Sequence, residues 1–428
     1  MADPSSCPLL TPASVRAAYE KIKPYIHKTP LITSTALDAI ASSPDPSVYL
    51  SENPPPFHNV PTNGVEQGND SQGSDDVPKF KLWFKCENFQ KIGAFKARGA
   101  FHAVTRLIEE LGVEEVRRRG VVTHSSGNHA QALSLAAHTF SIPAYIVMPT
   151  ISTPSKIAGT RLYTNNVIFS GSTSQEREAV VADVIKEKNA ILVPPYDHPD
   201  IILGQGTAGL EMETQFQEAR YGQTGGRVQW KGERKEIGFD AVIAPLGGGG
   251  LLGGTATFFS NKYSTLVFGA EPSFQGGDDG RRGLLEGKRI EHVKTLTIAD
   301  GLRTPVGVTN WSIISDKTKV EGLYAVTEEQ IKMALRLVFE RMKVVVEPSG
   351  CVGLAVVLFN KDFRDMVVRK QKETGKKEWD IGVVFSGGNT TMKALSQLFA
   401  EEKKTEARER EQGKIGLDGT RKVEDVAG

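Results

Sequence analysis

Lys96 is the residue whose setting in the sequence first suggests covalent chemistry. It lies in KIGAFKARGA (91–100), at a predicted helix start that glycines flank, between the apolar residues Phe95 and Ala97. Removal from water disfavours the charged form of a lysine, so a lysine in apolar surroundings can lose its proton and become a nucleophilic amine. An ordinary solvated lysine is the alternative, and residue type alone favours it.

A glycine cluster, PLGGGGLLGG (245–254), follows a predicted strand and opens a predicted helix. Glycine lacks a Cβ, so its backbone N–H groups can approach an anion closely, and a helix N-terminus adds positive potential. The cluster therefore predicts a phosphate site. The residues of that site are Gly247, Gly248, Gly249 and Gly250.

The same cluster also satisfies the dinucleotide pattern G-x-G-x-x-G, at Gly248, Gly250 and Gly253. Glu271 follows the next predicted strand, about where an acid that binds ribose is expected. An oxidoreductase that binds NAD(P) is therefore an alternative on this segment alone. The segment lacks the Lys-Ser/Thr ending of a nucleotide-binding loop.

Two polar loops complete the candidate chemistry. THSSGNH (123–129) joins a predicted strand to a predicted helix and is rich in hydrogen-bond donors, which suits a substrate carboxylate at a helix N-terminus. A plain helix cap by Ser125 or Ser126 is the alternative. FSGGN (385–389) follows the last predicted strand and places Ser386 where open α/β sheets bind ligands. EPSG (347–350) is equally explained as a glycine-rich helix start.

The elements that must position these residues alternate between strand and helix from Gly120 to Phe385. This alternation predicts an α/β fold with parallel sheets and helices on both faces. Residues 51–79 are rich in Pro, Ser, Asn and Gly and predict a disordered, solvated insertion, preceded by a short strand at Val48–Leu50. Residues 401–428 are mostly charged or polar and predict a frayed tail.

Composition excludes several classes of function. Of the 428 residues, 52 are Lys or Arg and 51 are Asp or Glu, so no global field attracts nucleic acid or an anionic membrane. No apolar run reaches the roughly 20 residues of a membrane span. Three scattered cysteines are too few for a disulfide framework or a zinc cluster. A cytoplasmic enzyme with a small-molecule substrate is expected.

Taken together, the motifs resemble the serine/threonine dehydratase family of fold-type II pyridoxal-phosphate enzymes, which includes serine racemases and threo-3-hydroxyaspartate ammonia-lyases. The resemblance runs from about Val15 to Phe399, with the motifs in family order. The matching segments are KCENFQKIGAFKARGA (85–100), THSSGNHAQAL (123–133), PPYDHPDIILGQGT (194–207), PLGGGGLLGG (245–254), TIADGLRT (297–304), ERMKVVVEPSG (340–350) and FSGGN (385–389).

The resemblance implies a fold like that of the tryptophan synthase β subunit, with two open, twisted α/β domains and the cofactor between them. Residues 1–119 and 198–400 would form the large domain, which binds pyridoxal phosphate, and residues 120–197 a small mobile domain. A homodimer is also implied, and no regulatory module is expected after Phe399.

The resemblance also assigns roles around the cofactor. Lys96 would carry pyridoxal phosphate as a Schiff base, with Phe95 beside the ring, and the four glycines would bind its phosphate. Asn128 would face the ring hydroxyl and Ser386 the pyridine nitrogen. A serine there leaves the nitrogen largely unprotonated and the ring a weaker electron sink, which favours prompt loss of a β-hydroxyl group.

On the substrate side, the resemblance implies that the loop after the first strand of the small domain holds the carboxylate. The residues are Ser125, Ser126, Asn128 and His129. Ser126 would also be the second catalytic residue, exchanging the α-proton on the face opposite Lys96, as in the racemases. Arg177 lies where racemases carry an arginine able to meet a second carboxylate. Ala94 and Ala130 depart from the usual serine and glycine, without removing a functional group.

A divalent-cation site is implied by the acidic cluster after Glu271, with carboxylate and carbonyl ligands suited to Mg²⁺ or Ca²⁺. Its predicted ligands are Glu271, Gly277 through its carbonyl, and Asp279. The spacing is longer than in the relatives, and Asp278 remains an alternative to Asp279.

The predicted function is a pyridoxal-phosphate-dependent ammonia-lyase that acts on L-serine, L-threonine or 3-hydroxyaspartate. A serine racemase with side β-elimination is the alternative within the family. A catalytically inactive cofactor-binding protein is a third hypothesis, against which the joint presence of Lys96, Ser126, Asn128 and Ser386 argues.

Overall fold

Two sheets organise the part of the chain that the structure, a computed structural model, describes: residues 3–57, 77–125, 127–171, 174–222, 238–260 and 265–400. The strands of the described residues are β1 Leu31–Thr33, β2 Phe80–Cys86, β3 Val121–His124, β4 Ala144–Pro149, β5 Val167–Ser170, β6 Ile191–Leu192, β7 Ala241–Pro245, β8 Leu266–Pro272, β9 Gly322–Val326 and β10 Trp379–Phe385. One sheet has the order β1-β2-β10-β7-β8-β9 and the other β5-β4-β3-β6.

Helices cover both sheets. They are α1 Pro12–Ile22, α2 Thr35–Ala41, α3 Lys96–Leu111, α4 Val113–Arg119, α5 Asn128–Thr139, α6 Pro154–Arg161, α7 Ser174–Lys188, α8 Pro199–Tyr221, α9 Gly250–Phe259, α10 Asp279–Glu286, α11 Val308–Ile314, α12 Glu328–Leu337, α13 Val352–Phe359 and α14 Lys361–Thr374. Among the described residues, no helix is long and apolar enough to cross a membrane. Residues 390–400 belong to a second unit, which contains a helix over 392–400.

The predicted parallel α/β architecture is confirmed. Every pair of neighbouring strands is parallel except β1 with β2. Strands β7 and β10 are buried along their whole length, as expected of strands covered by helices on both faces. Their apolar residues form one core with α1, α8 and α9, while α3 and α5 form another with the four-stranded sheet.

The register of the larger sheet brings several predicted site segments to one edge. Phe385 in β10 pairs with Cys86 in β2, and Val383 pairs with Ile243 in β7. Parallel strands end at the same edge of a sheet, and open α/β sheets bind ligands outside that edge. The residues that follow β2, β7 and β10 therefore emerge together, and these segments contain Lys96, the four glycines and Ser386.

Some local predictions were wrong. Val48–Leu50 is not a strand but the end of a 3₁₀ helix, Pro46–Leu50, because Pro46 has no N–H for a ladder and the Asp45 side chain caps the turn at Ser47. Helix α8 was not predicted, because it is buried nearly all round and so lacks an amphipathic pattern. Residues 58–76 of the insertion and the tail 401–428 lie outside the described residues.

Candidate active site

Lys96 is the first residue of α3 and keeps part of its surface accessible. Its Nζ donates a hydrogen bond to the carbonyl of Pro195 at 2.7 Å and lies 5.1 Å from the centroid of the Phe95 ring. Desolvation lowers the pKa of Lys96 to about 8, since burial disfavours its ammonium form. At pH 7 about a tenth of a lysine with this pKa is free amine, which is the form that attacks a carbonyl group.

The segment before Lys96 pairs with the segment around Ser386. The Phe95 N–H donates to the Ser386 carbonyl at 3.0 Å, and Gly388 N–H donates to the Gly93 carbonyl at 2.9 Å. Ser386 is buried directly after β10. These backbone bonds hold the start of α3 and Ser386 on the same edge of the sheet.

The glycine loop leaves no room for side chains. A Cβ at Gly248 would lie 2.4 Å from the Tyr196 ring, and one at Gly247 would lie 2.9 Å from the Leu302 Cα. Gly249 has φ +97°, a left-handed conformation that favours glycine. Helix α9 starts at Gly250, so its N-terminal N–H groups and the loop form a cradle of backbone donors suited to a phosphate.

Loop 194–198 connects Lys96 to this cradle. Pro195 accepts the Lys96 hydrogen bond, and Tyr196 packs on Gly248. The carboxylate of the next residue, Asp197, accepts hydrogen bonds from the N–H groups of Val308 at 2.8 Å and Thr309 at 2.9 Å. Asn310, beside them, donates from Nδ2 to the Gly248 carbonyl at 3.0 Å.

None of these loop contacts was predicted from the sequence. Tyr196 lay within a matched motif, PPYDHPDIILGQGT, and could have been examined on that ground. The Pro195 contact uses a backbone carbonyl, and the Asn310 contact joins residues 62 positions apart, so neither has a sequence signal.

Asn128 begins α5 and joins a polar network with Glu347 and Asn389. Its Nδ2 donates to Glu347 Oε1 at 2.8 Å, and Asn389 Nδ2 donates to its Oδ1 at 2.8 Å. Glu347 is buried, and desolvation, reinforced by the charge of Asp300, raises its pKa to about 7. The segment EPSG is therefore more than a helix start, because its glutamate anchors a predicted cofactor-binding residue.

His129 is buried and electrically neutral. Its Nε2 lies 3.2 Å from the Val193 carbonyl and so carries the proton, whereas Nδ1 is buried without a hydrogen-bond partner among the described residues. Desolvation, followed by the nearby charge of Lys96, lowers its pKa to about 3. His129 was predicted to bind the substrate carboxylate, but its ring has no further N–H to donate. Its backbone N–H, in the first turn of α5, remains as a donor.

The other predicted substrate residues are placed unevenly. The Ser125 Oγ accepts a hydrogen bond from Gly127 N–H at 3.3 Å, within the loop before α5. Arg177 lies on α7 near this loop, since its charge, after desolvation, lowers the pKa of His124. Ser126 lies outside the described residues.

The structure brings two of the predicted metal ligands, Glu271 and Asp279, together. Glu271 is the penultimate residue of β8 and accepts hydrogen bonds from the N–H groups of Gly280 at 2.9 Å and Arg281 at 2.8 Å. Asp279 accepts from Val306 N–H at 3.0 Å. Desolvation raises the pKa of both acids, of Asp279 to about 6 and of Glu271 well above its usual value, where repulsion from Asp279 adds to the effect.

The two remaining residues of the predicted cation site differ in placement. Asp278 faces Arg282 Nε at 3.2 Å, so an arginine already balances its charge. Gly277 closes the turn before α10, where a Cβ would lie 2.9 Å from the Pro272 carbonyl.

Comparison with known proteins decides the family. The sequence pattern of pyridoxal-phosphate-dependent enzymes matches residues 70–371. The chain belongs to this family. The predicted fold-type II architecture is thereby confirmed, and the NAD(P) oxidoreductase alternative is wrong.

Three relatives of this pyridoxal-phosphate-dependent enzyme illustrate its place in the family. A serine racemase from Arabidopsis thaliana is 36% identical over 391 residues, which cover 91% of this chain and 96% of that protein. An L-threo-3-hydroxyaspartate ammonia-lyase from Saccharomyces cerevisiae is 34% identical, with 91% and 96% covered. The structure of maize serine racemase aligns with a TM-score of 0.70 at 32% identity, covering 93% of this chain and 99% of that one.

Proposed function

We propose that this chain is a pyridoxal-phosphate-dependent ammonia-lyase that converts a β-hydroxy amino acid into a 2-oxo acid and ammonia. Serine, threonine and 3-hydroxyaspartate are the candidate substrates. The observation that carries the proposal is the position of Lys96. Its desolvated amine donates a hydrogen bond to the Pro195 carbonyl, and the next residue, Tyr196, packs against the glycine cradle. Relatives named as ammonia-lyase and serine racemase support the substrate class.

The residues at the edge of the larger sheet fit the cofactor. Gly247 to Gly250 would hold its phosphate, because the cradle offers backbone donors and no side chain. Lys96 would bind its aldehyde carbon, and Phe95 would pack beside it. Ser386 would face the ring nitrogen, and Asn128, fixed by Glu347 and Asn389, would donate to or accept from the ring hydroxyl.

Pyridoxal phosphate, when bound, withdraws electrons from the α-carbon of an amino acid and so acidifies its α-proton. The side chains around it would do the rest. The backbone N–H groups at the start of α5, with the Ser125 hydroxyl, would hold the substrate carboxylate. Lys96, once the substrate amine has displaced it, would take the α-proton with its neutral amine. The electron pair of the broken C–H bond would expel the β-hydroxyl, which leaves as water with a proton equivalent to the one that Lys96 removed. The product enamine would then tautomerise to an imine, and hydrolysis of the imine yields the 2-oxo acid and ammonia.

Replacement of Lys96 tests the central assignment. We expect Lys96→Ala to abolish 2-oxo acid formation and the visible absorbance of the lysine-bound cofactor, with the fold intact by circular dichroism. Lys91→Ala is the matched control, because Lys91 lies on the same segment but faces the Phe101 ring at 5.9 Å. Turnover that survives Lys96→Ala would refute the assignment. A panel of serine, threonine and 3-hydroxyaspartate, assayed for 2-oxo acid and for D-amino acid, then identifies the substrate.

Serine racemisation is the second candidate activity, and the 36% identity to a serine racemase favours it. We propose Ser126 as the group that exchanges the α-proton on the face opposite Lys96, on the basis of the resemblance to the racemases. Ser126→Ala should remove formation of D-serine while reducing elimination from the L-substrate far less. If the wild type racemises L-serine and the variant does so equally well, the second base is a different residue.

We also propose a divalent cation, Mg²⁺ or Ca²⁺, at Glu271, Asp279 and the Gly277 carbonyl. Its support is the pair of buried acids, neither of which forms an ion pair with a described lysine or arginine, in contrast to Asp278, which faces two arginines. A cation that binds only the folded state stabilises it by mass action. Added Mg²⁺ or Ca²⁺ should therefore raise the midpoint of thermal unfolding, and Glu271→Gln should remove this response whereas Asp278→Asn should keep it. A wild-type midpoint that neither EDTA nor the cations shift would refute the site.

Three further expectations are proposals for the whole protein: a homodimer, a cytoplasmic location, and a small domain over residues 120–197 that moves against the rest. The domain is supported by the four-stranded sheet, which is built entirely from residues 121–192. Size-exclusion elution, cell fractionation and hydrogen exchange with and without substrate test these three points in turn.

A further inference from the structure

A second cluster of metal-ligating side chains lies where the N-terminal turn meets the start of α8. Cys7 Sγ is 3.9 Å from His198 Nε2 and 3.5 Å from Asp200 Oδ2. Among the described residues these three form one group whose ligand atoms all lie within 4.8 Å of one another. No step of the proposed reaction uses them.

The donor set is that of a zinc site. Zinc in proteins takes thiolate sulfur, imidazole nitrogen and carboxylate oxygen in a tetrahedral arrangement, with bonds of about 2.0–2.3 Å. Bonds of that length separate neighbouring ligand atoms by about 3.5 Å. The sulfur-to-oxygen distance already has this value, and the sulfur-to-nitrogen distance exceeds it by a few tenths of an ångström.

One carboxylate oxygen of Asp200 is buried without a hydrogen bond. Asp200 is 1% exposed, and its Oδ1, which has no hydrogen bond among the described residues, forms an ion pair with Arg106 Nε at 3.5 Å. Cys7, in contrast, is only partly buried, so an ion can reach the sulfur from solvent. The cluster thus combines an entry path with a buried carboxylate whose other oxygen, Oδ2, lies beside the Cys7 sulfur.

We propose that Cys7, His198 and Asp200 bind one Zn²⁺ ion, which ties the N-terminal turn to the start of α8. Binding requires the Cys7 thiol to release its proton to solvent. It also requires the His198 proton to move to Nδ1, so that Nε2 offers a lone pair. This tautomer gives up the 3.3 Å hydrogen bond that Asp200 N–H now donates to Nδ1, and the bond from Nε2 to zinc takes its place.

The location gives the ion a structural consequence near the active site. His198 caps α8 and lies three residues after Pro195, whose carbonyl accepts the Lys96 hydrogen bond. An ion at this position would fix loop 194–198 through His198. The zinc site itself stands on Cys7, His198 and Asp200 and does not depend on the proposed reaction.

Zinc-edge X-ray absorption on the full-length holoenzyme, treated with chelator and then given one equivalent of Zn²⁺, tests the site. We expect one sulfur at about 2.3 Å from zinc, with nitrogen and oxygen neighbours. Cys7→Ser should lose the sulfur signal and at least ~10-fold in zinc affinity, since even loss of an outer partner of a ligand costs about 10- to 100-fold. Glu271→Gln, which alters the other candidate cation site, is the matched control and should keep both.

Two measurements, X-ray absorption and thermal unfolding, can each overturn the zinc site. Zinc bound without a sulfur neighbour in the wild type, or a sulfur signal that persists in Cys7→Ser, would overturn the site and leave the cluster a set of hydrogen bonds around Asp200. Thermal unfolding supplies an independent measurement, because zinc should raise the midpoint of the wild type and of Glu271→Gln but not that of Cys7→Ser. An equal rise in Cys7→Ser would likewise overturn the proposal.

Discussion

Burial shifts the titratable side chains around Lys96 toward their neutral forms. Desolvation lowers the pKa of Lys96 to about 8 and of His129 to about 3, and it raises the pKa of Glu347 to about 7. Each shift has the same cause, because surroundings of low dielectric disfavour the charged form of the side chain. Near pH 7 and without ligand, His129 is therefore neutral, Lys96 is still mostly protonated and Glu347 is about half ionised. The phosphate and carboxylate of the ligands then add negative charges. Backbone N–H dipoles at the starts of α5 and α9 are well suited to meet them.

Replacement of Glu347 by glutamine should change how stability depends on pH. The folded pKa of about 7 exceeds the ordinary value of 4.5, so between these pH values the folded state binds more protons than the unfolded state. The free energy of unfolding should therefore fall as pH rises through this window. In Glu347→Gln this part of the fall, up to about 3 kcal/mol, should be absent.

Urea unfolding at pH 5 and pH 8 measures the effect. Glu329→Gln is the control, since Glu329 is an exposed glutamate on α12 and should leave the pH dependence unchanged. An identical loss of stability between the two pH values in wild type and Glu347→Gln would show that Glu347 ionises as freely when folded as when unfolded.

A site residue could be predicted from the sequence when its own type and its local neighbours define its role, and not when a distant contact does. Lys96, the four glycines and Ser386 are recognisable because side-chain type and local neighbours define their chemistry. Glu347 was named but not assigned, because its partner Asn128 lies 219 residues away. The orientation of His129 depends on the Val193 carbonyl, which any residue type at position 193 would supply.

At the scale of elements, a buried ionic network holds the start of α3 in place. Arg98 donates to Glu87 Oε2 at 2.7 Å, at the end of β2, and to Glu211 Oε2 at 2.8 Å in α8. Lys85 donates to the same oxygen of Glu211 at 2.7 Å, and all four side chains are buried. Two cations and two anions balance, and the network joins the helix that begins with Lys96 to a strand and to α8.

Removing one charge from this network should be costly. Glu211→Gln leaves Arg98 and Lys85 with a single carboxylate, and breaking a buried ion pair from one side typically costs about 3–5 kcal/mol. We expect a loss of that size in the free energy of unfolding, measured with urea. Asp365→Asn is the matched control, because it breaks the exposed pair with Lys361 on α14 and should cost less than ~1 kcal/mol. A loss of similar size in both variants would show that the buried network contributes no more than a surface pair.

The elements themselves were predictable to different degrees. Strands such as β7 and β10 were found because short apolar runs stand between glycines and polar loops. Helix α8 was not predicted, because its glycines allow close packing of helices and do not mark turns. A Cβ at Gly206 would lie 2.6 Å from the Gly254 carbonyl in α9. Close contact of two buried helices is a tertiary property, and it removes the polar face by which a helix is recognised.

At the scale of the whole molecule, the order of the parallel strands in the larger sheet brings segments that are distant in the sequence together in one site. The segments after β2, β7 and β10 are separated by more than a hundred residues each, yet the register places their ends side by side. The order β2-β10-β7 could not be read from the sequence, since nothing local specifies which strands become neighbours. The resemblance to a known family predicted only that these segments surround one cofactor.

Residues 58–76, within the insertion, are expected to be dispensable for activity and assembly. Residues 58–76, HNVPTNGVEQGNDSQGSDD, contain two valines and no larger aliphatic or aromatic residue, so this stretch offers little apolar surface to a core. We predict that a short Gly-Ser linker in place of 58–76 leaves kcat/KM within about 2-fold and the elution volume consistent with the same oligomer. The physical reason is that closure entropy grows only logarithmically with loop length, by about 0.6 kcal/mol per doubling. Phe57, which stacks on Tyr49 with ring centroids 5.3 Å apart, is retained so that the described contact survives. A large loss of kcat/KM would instead show that the insertion acts in catalysis, and a changed oligomeric state would show that it forms a subunit contact.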